Sequence, residues 1–158
     1  MNKLRFQKIE KTGFIFARIL MGAVFLYASY DKILNPQAFA EAVYNYQILP
    51  DFAVNAVALA LPWIELAAGL CLITGIWLPG GVFVCALLMC VFTAALVFNQ
   101  IRGLDVHCGC FTTEAAHGPA GIWTVIRDLF FLVLSAYLLV RIVFLPLEKT
   151  GDIPGRAA

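Results

Sequence analysis

The chain has 158 residues, a length that suits one domain, and is 62% hydrophobic with only 13% charged residues. Its mean hydropathy is +0.87, whereas a soluble domain carries about 25% charge, and a chain this small cannot hide the surplus in a core. A soluble protein is therefore excluded, and a net charge of +1 gives no footing for nucleic acid.

Crossing a hydrocarbon core about 30 Å thick takes roughly 20 mostly apolar residues. Four runs qualify: 13–34, 53–75, 80–98 and 120–145. Backbone polar groups in lipid must be satisfied within the segment, which makes these runs helices. No stretch has the ten-residue alternation of a barrel strand. The fold class is all-α: one polytopic membrane four-helix bundle over 1–158.

The basic start, with Lys3, Arg5, Lys8 and Lys11, suits a signal peptide. The apolar run behind it is too long for one, Arg18 interrupts it, and no small-x-small cleavage site follows. A retained first helix is expected. Arg18, Gly22, Phe25, Ser29 and Lys32 recur at spacings of four and three, forming one stripe. Asn35-Pro36 then breaks the helix. Residues 37–47 read as a short amphipathic helix in the first external loop, with Phe39, Val43 and Tyr46 on one side. Tyr44, Tyr46 and Phe52 suit the membrane interface.

The second span carries Asn55, Ala58, Pro62, Glu65 and Gly69 as its stripe, with Pro62 predicted to bend it. "WLPGG" at 77–81 reads as a tight inner turn that makes spans two and three an antiparallel hairpin. The third span has no charge. The fourth presents Thr124, Asp128, Phe131 and Ser135. Such mixtures of small and polar residues mark helix contacts in membranes, and charges in spans face the interior. Depth at 1.5 Å per residue pairs Arg18 with Glu65 and sets Asp31 and Lys32 near Arg127 and Asp128. These groups either fix helix register or form a polar site for a quinone head group or a proton path, with Lys32, Arg127 and Asp128 as its candidates.

Lysines and arginines set orientation. Seven lie on the side of the two termini and two, Lys32 and Arg102, on the other. Both termini are then cytoplasmic. In a bacterial inner membrane the loop "DVHCGCFTTE", 105–114, faces the periplasm, where thiols can be oxidised.

Of five cysteines, Cys71, Cys85 and Cys90 lie in spans and read as packing. Cys108 and Cys110 flank one glycine in the polar loop. Two extended residues span at most about 7 Å, and a disulfide wants about 4.4–6.8 Å between Cα atoms. A bridge is possible but strained, and strained exposed disulfides are oxidising and labile. A staple would better close a longer loop. The spacing thus favours exchange chemistry, with His107 or Arg102 able to stabilise a thiolate. His107, Cys108, Cys110 and His117 also suit zinc or copper, although paired zinc cysteines usually stand further apart. Staple and metal stay open, and no metal is assigned.

Arg18 and Gly22, "DKILNPQAF" at 31–39, "ILP" at 48–50, "LPWIELAAGL" at 61–70, "HCGCF" at 107–111 and "RD" at 127–128 come in an order that resembles the DoxX-like membrane proteins, especially their MauE branch. Ser29-Tyr30 stand where that pattern has a glycine before the helix-one lysine. The resemblance implies a four-helix membrane bundle. It also implies a link to methylamine utilisation: maturation of a disulfide-rich periplasmic dehydrogenase alongside a thioredoxin-like partner. By position, Cys108 and Cys110 become the candidate redox pair. Other DoxX-like members are associated with quinone-linked sulfur oxidation.

The function expected is thiol–disulfide exchange through Cys108 and Cys110, with His107 assisting and a quinone as the candidate cofactor. It would support disulfide formation in a periplasmic protein. The rivals are a non-enzymatic subunit or scaffold of a quinone-linked membrane oxidoreductase, and a transporter of a small hydrophobic or sulfur compound. Expected partners are membrane lipid and a periplasmic thioredoxin-like protein or an oxidoreductase subunit. The sequence holds no second external cysteine pair, so a quinone must meet this pair directly or a partner must supply another.

Overall fold

The computed structural model describes residues 2–103 and 122–144, with side chains from 10–103 and 123–144. Among these residues lie five helices: α1 (Asn2–Leu34), α2 (Pro36–Asn45), α3 (Asp51–Thr74), α4 (Leu78–Ile101) and α5 (Ile122–Val143). His107, Cys108, Cys110 and His117 fall outside the described residues, as does the tail after 144.

Three helical stretches are long and apolar enough to cross a membrane: Glu10–Leu34, Asp51–Thr74 and Leu78–Ile101. Large apolar side chains point away from the protein along them, among them Phe16, Trp63 and Phe83. Such surface is an unpaired liability in water and ordinary in lipid. The chain is a membrane protein. The fourth expected run is helical over the 22 residues of α5, which contains Arg127, Asp128 and Arg141.

Local chemistry explains the breaks. Asn35 leaves the helical conformation at φ −121°, ψ 60°, because the ring of Pro36 disfavours a helical residue before it. Pro36 then opens α2, where its missing N–H is no loss. Pro50, extended at φ −67°, ψ 148°, precedes α3, and Asp51 sits in the first turn, where a carboxylate favours the positive helix end. The helix runs on through buried Pro62 to Thr74. Gly75 ends it at φ 78° with its N–H donating to the Cys71 carbonyl, a left-handed stop that glycine adopts without strain.

The turn between α3 and α4 differs from the sequence expectation. It occupies Gly75 to Trp77, with Trp77 at φ 53°, and "LPGG" forms the first turn of α4. Proline fits that first turn, where its missing N–H needs no partner. Gly81 belongs there for packing: a Cβ on it would lie 2.7 Å from Cys71 Cβ.

α1 packs along α3, α4 lies between α3 and α5, α5 also touches α1, and α2 rests on α3 and α1. Their shared core holds Phe14, Met21, Phe25, Leu72, Val82 and Leu138. α1 and α3 approach most closely at Gly22 and Gly69, where a Cβ on either would come within 3.2 Å of the other's carbonyl oxygen. Cys85 is buried in this core and Cys71 is half-buried, whereas Cys90 faces outward.

Candidate functional site

Starting from the Gly22–Gly69 crossing, Lys32 lies ten residues further along α1, a rise of about 15 Å, and Glu65 four residues earlier on α3, about 6 Å. The helices are antiparallel, so both displacements run toward the same end. Side chains on a helix lean toward its N-terminus. Lys32 therefore leans back toward the crossing, Glu65 leans away from it, and the two meet. Lys32 Nζ donates to Glu65 Oε1 at 2.6 Å, and each residue is only 1% exposed.

The expected pairing of Arg18 with Glu65 is not what forms. The same leaning rule carries Arg18 toward the N-terminal end of α1, away from Glu65. Its Nη2 donates to the Ile73 carbonyl at 3.5 Å, and its guanidinium lies against Gly75. A cation is favoured there, where the carbonyls of the last turn of α3 lack helical partners.

Lys32 draws contacts from other helices. Its Nζ stands 4.9 Å from the ring centre of Phe39 on α2 and 5.1 Å from that of Phe92 on α4, within range of cation–π attraction. The charges of Asp31 and of Asp128 on α5 also reach it. Asp128 is buried and takes Nη2 of its neighbour Arg127 at 3.0 Å. Tyr46, between α2 and α3, joins this group: burial raises its phenol above the ordinary value, and the Asp128 carboxylate raises it further. Asp128 thus interacts electrostatically with Lys32 and is ion-paired to Arg127, but the direct ion-pair partner of Lys32 is Glu65.

Beside this cluster, α2, α3 and α4 line a half-open cavity of about 300 Å³, the lower end of small-ligand sites at about 300–1,000 Å³. Its walls include Lys32, Phe39, Tyr46, Leu61, Leu88 and Phe92, and it reaches Val91 and Ile48, both exposed on the outer face. Hydrocarbon forms nearly all of the lining, and the ammonium of Lys32 is turned to Glu65 and fully buried.

Asn99 was not singled out from sequence, and neither was the unpaired oxygen of Glu65. Among the described residues, Glu65 Oε2 and both amide atoms of Asn99 have no hydrogen-bond partner. The third span was expected to stop at 98, but α4 continues to Ile101, turning Asn99 into a fully buried helical residue. The signal was present as Leu96 and Asn99 at helical spacing on the inward face. No group of three metal-ligating side chains occurs among the described residues, and the proposed loop ligands lie outside them.

The family model described as methylamine utilisation protein MauE matches residues 10–141. The chain is 37% identical to the methylamine utilization protein MauE of Paracoccus denitrificans over 131 residues, covering 82% of this chain and 68% of that one. It is 35% identical to the MauE protein of Paracoccus versutus over 135 residues, covering 85% and 70%. With the MauE protein of Methylophilus methylotrophus the identity is 29% over 143 residues, covering 90% and 73%. No solved structure matches the chain. The chain belongs to the MauE family of methylamine utilisation proteins.

Proposed function

We propose that this membrane protein serves methylamine utilisation as a thiol–disulfide exchanger, with Cys108 and Cys110 as its redox pair and His107 as the neighbour that stabilises the thiolate. The observation that carries the reading is the Cys-Gly-Cys pair in the segment joining α4 to α5. That segment leaves from the helix end that also holds α2 and the Lys32 cluster. By the loop charges this end faces the periplasm of a bacterial inner membrane, with both termini in the cytoplasm. α5 serves as the fourth span of a DoxX-like bundle, its Arg127 and Asp128 near the outer surface.

The reaction balances as follows. A thiolate of a reduced, thioredoxin-like partner attacks the Cys108–Cys110 disulfide, giving a mixed disulfide. The partner's second thiolate resolves it. The partner leaves oxidised, and Cys108 and Cys110 hold two electrons and two protons as thiols. The reduced pair passes both electrons and both protons to a membrane quinone, which leaves as quinol, and closes again to the disulfide. Oxidising equivalents then flow from the membrane to a periplasmic protein that needs disulfides.

Replacing Cys108 and Cys110 together by serine tests this. The reading expects loss of growth on methylamine with membrane insertion intact. Undiminished growth would refute it and leave the scaffold or transport readings.

A further inference from the structure

The cavity under α2 is a furrow that follows the helix axes. On α4 its wall runs through Leu88, Phe92 and Ala95, and on α3 through Val57 and Leu61, residues one helical turn apart. At 1.5 Å per residue the α4 wall is about 10 Å long. It runs from about 9 Å to about 20 Å below Ile101, the α4 terminus at the α2 end of the bundle. A hydrocarbon core is about 30 Å thick, so this interval belongs to one leaflet and the furrow lies along the bilayer normal, as acyl chains do. Water is a poor occupant, because a buried water needs polar partners. The walls are hydrocarbon almost throughout. The Lys32 ammonium is turned to Glu65 and to the faces of Phe39 and Phe92, with its side chain 0% exposed. An empty apolar void destabilises in proportion to its volume, and a dry apolar cavity takes an apolar guest. The furrow is half open, and Ile48, Leu49 and Val91 along it are exposed on a surface that meets lipid. The molecule waiting there is a phospholipid, and the part of it at that depth is acyl chain. From Pro36 to Ala60 the sequence carries two carboxylates, Glu41 and Asp51, and no lysine or arginine. An anionic head group therefore finds no counter-charge above the furrow, and recognition falls to the chain.

We propose that the furrow seats one acyl chain of a phospholipid from the leaflet on the α2 side, packed under Phe39 and against Leu61, Leu88 and Phe92. The seated chain completes the seam between α2 and the α3–α4 hairpin, as a structural lipid. Its binding is independent of what Cys108 and Cys110 do.

The test uses the full chain in phosphatidylcholine nanodiscs in which part of the lipid carries a diazirine midway along one acyl chain. Illumination should label the α4 peptide around Phe92 and Ala95 several times more strongly than the α5 peptide around Phe130 and Val133, which is exposed to the same lipid. Ala42→Trp on α2 and Ala95→Trp on α4 fill the furrow without touching the Lys32–Glu65 pair. Each should bring α4 labelling down to the α5 level while circular dichroism and size distribution stay unchanged. A phosphatidylglycerol probe with the same chain should give the wild-type ratio of α4 to α5 labelling found with phosphatidylcholine. Wild-type α4 labelling equal to that of α5 overturns the seat, because the furrow then meets only boundary lipid. Labelling of α4 below α5 overturns it too, because protein then covers the furrow. Full α4 labelling in both tryptophan variants has the same force, and a ratio that rises only with the anionic probe overturns recognition through the chain. Where a tryptophan variant fails to fold, the wild-type ratio still decides.

Discussion

Lys32→Met is the most informative single change to the helical core. The ammonium and the Glu65 carboxylate stand 2.6 Å apart with side-chain exposures of 0% and 2%. At an effective dielectric of about 20 their attraction is about 6 kcal/mol. Removing each ion from water costs several kcal/mol, so the pair as a whole contributes little net stability. Breaking it is another matter, because methionine leaves Glu65 buried with no counter-charge beside it. Loss of one partner of a buried pair costs about 3–5 kcal/mol, while replacing both by apolar residues is neutral or stabilising by about 1–4 kcal/mol. Lys32→Met and Glu65→Leu should each destabilise by about 3 kcal/mol or more, and the double variant should recover wild-type stability. The assay is a double-mutant cycle of unfolding in mixed micelles followed by circular dichroism. Single-variant losses that simply add within about 0.5 kcal/mol would refute the coupling and the geometry behind it.

Arg18→Ala should cost only about 0.3–1 kcal/mol, the scale of a cation at a helix C-terminus, in the same unfolding assay; a loss above about 3 kcal/mol would restore Arg18 as the partner of Glu65. Gly22→Val should lose about 1–3 kcal/mol through overpacking, because its Cβ would fall 2.6 Å from Ile73 and 3.2 Å from the Gly69 carbonyl. Gly13→Ala, inside α1 with nothing within 4 Å of the added Cβ, should stabilise by about 0.5–1 kcal/mol, the cost of glycine in a helix interior. Tyr46 ionises above the ordinary phenol value of about 10. Its stabilising contribution is intact below that value and is lost as pH rises above it, since the unfolded phenol ionises first. The wild type should therefore lose stability more steeply than Tyr46→Phe between about pH 9 and about pH 11, measured by thermal unfolding.

The sequence made the helices legible because lipid imposes a simple rule: long apolar runs must be helical. Asn35-Pro36 and the amphipathic pattern of 37–47 located α2 to within two residues at its C-terminal end. The stripes were legible too. Gly22, Phe25, Ser29 and Lys32 on α1 and Ala58, Pro62, Glu65 and Gly69 on α3 are all buried, whereas Arg18, at the start of the first stripe, is half-buried and Asn55, at the start of the second, is exposed. The pairing between the stripes was not, because depth alone ignores the direction in which side chains lean. Adding that direction turns Arg18 away from Glu65 and Lys32 toward it. The cavity was illegible for a related reason. Its walls come from Phe39, Leu61 and Phe92, ordinary apolar residues whose convergence depends on how α2 lies across α3. The "LPGG" turn was misplaced by three residues because Pro79 and the glycines serve a helix start as readily as a turn. MauE membership was legible from the order of short motifs spread over the chain, and a family match to residues 10–141 supports that part of the resemblance.

Thiol trapping in intact cells shows whether Cys108 and Cys110 turn over. A membrane-impermeant maleimide is added with and without prior reduction, and with quinol oxidation running or blocked. Exchange through this pair requires protection of both cysteines during respiration, labelling after reduction, and labelling without reductant once quinol oxidation is blocked. A pair that stays oxidised in every state, or that the reagent cannot reach even after reduction, would contradict it.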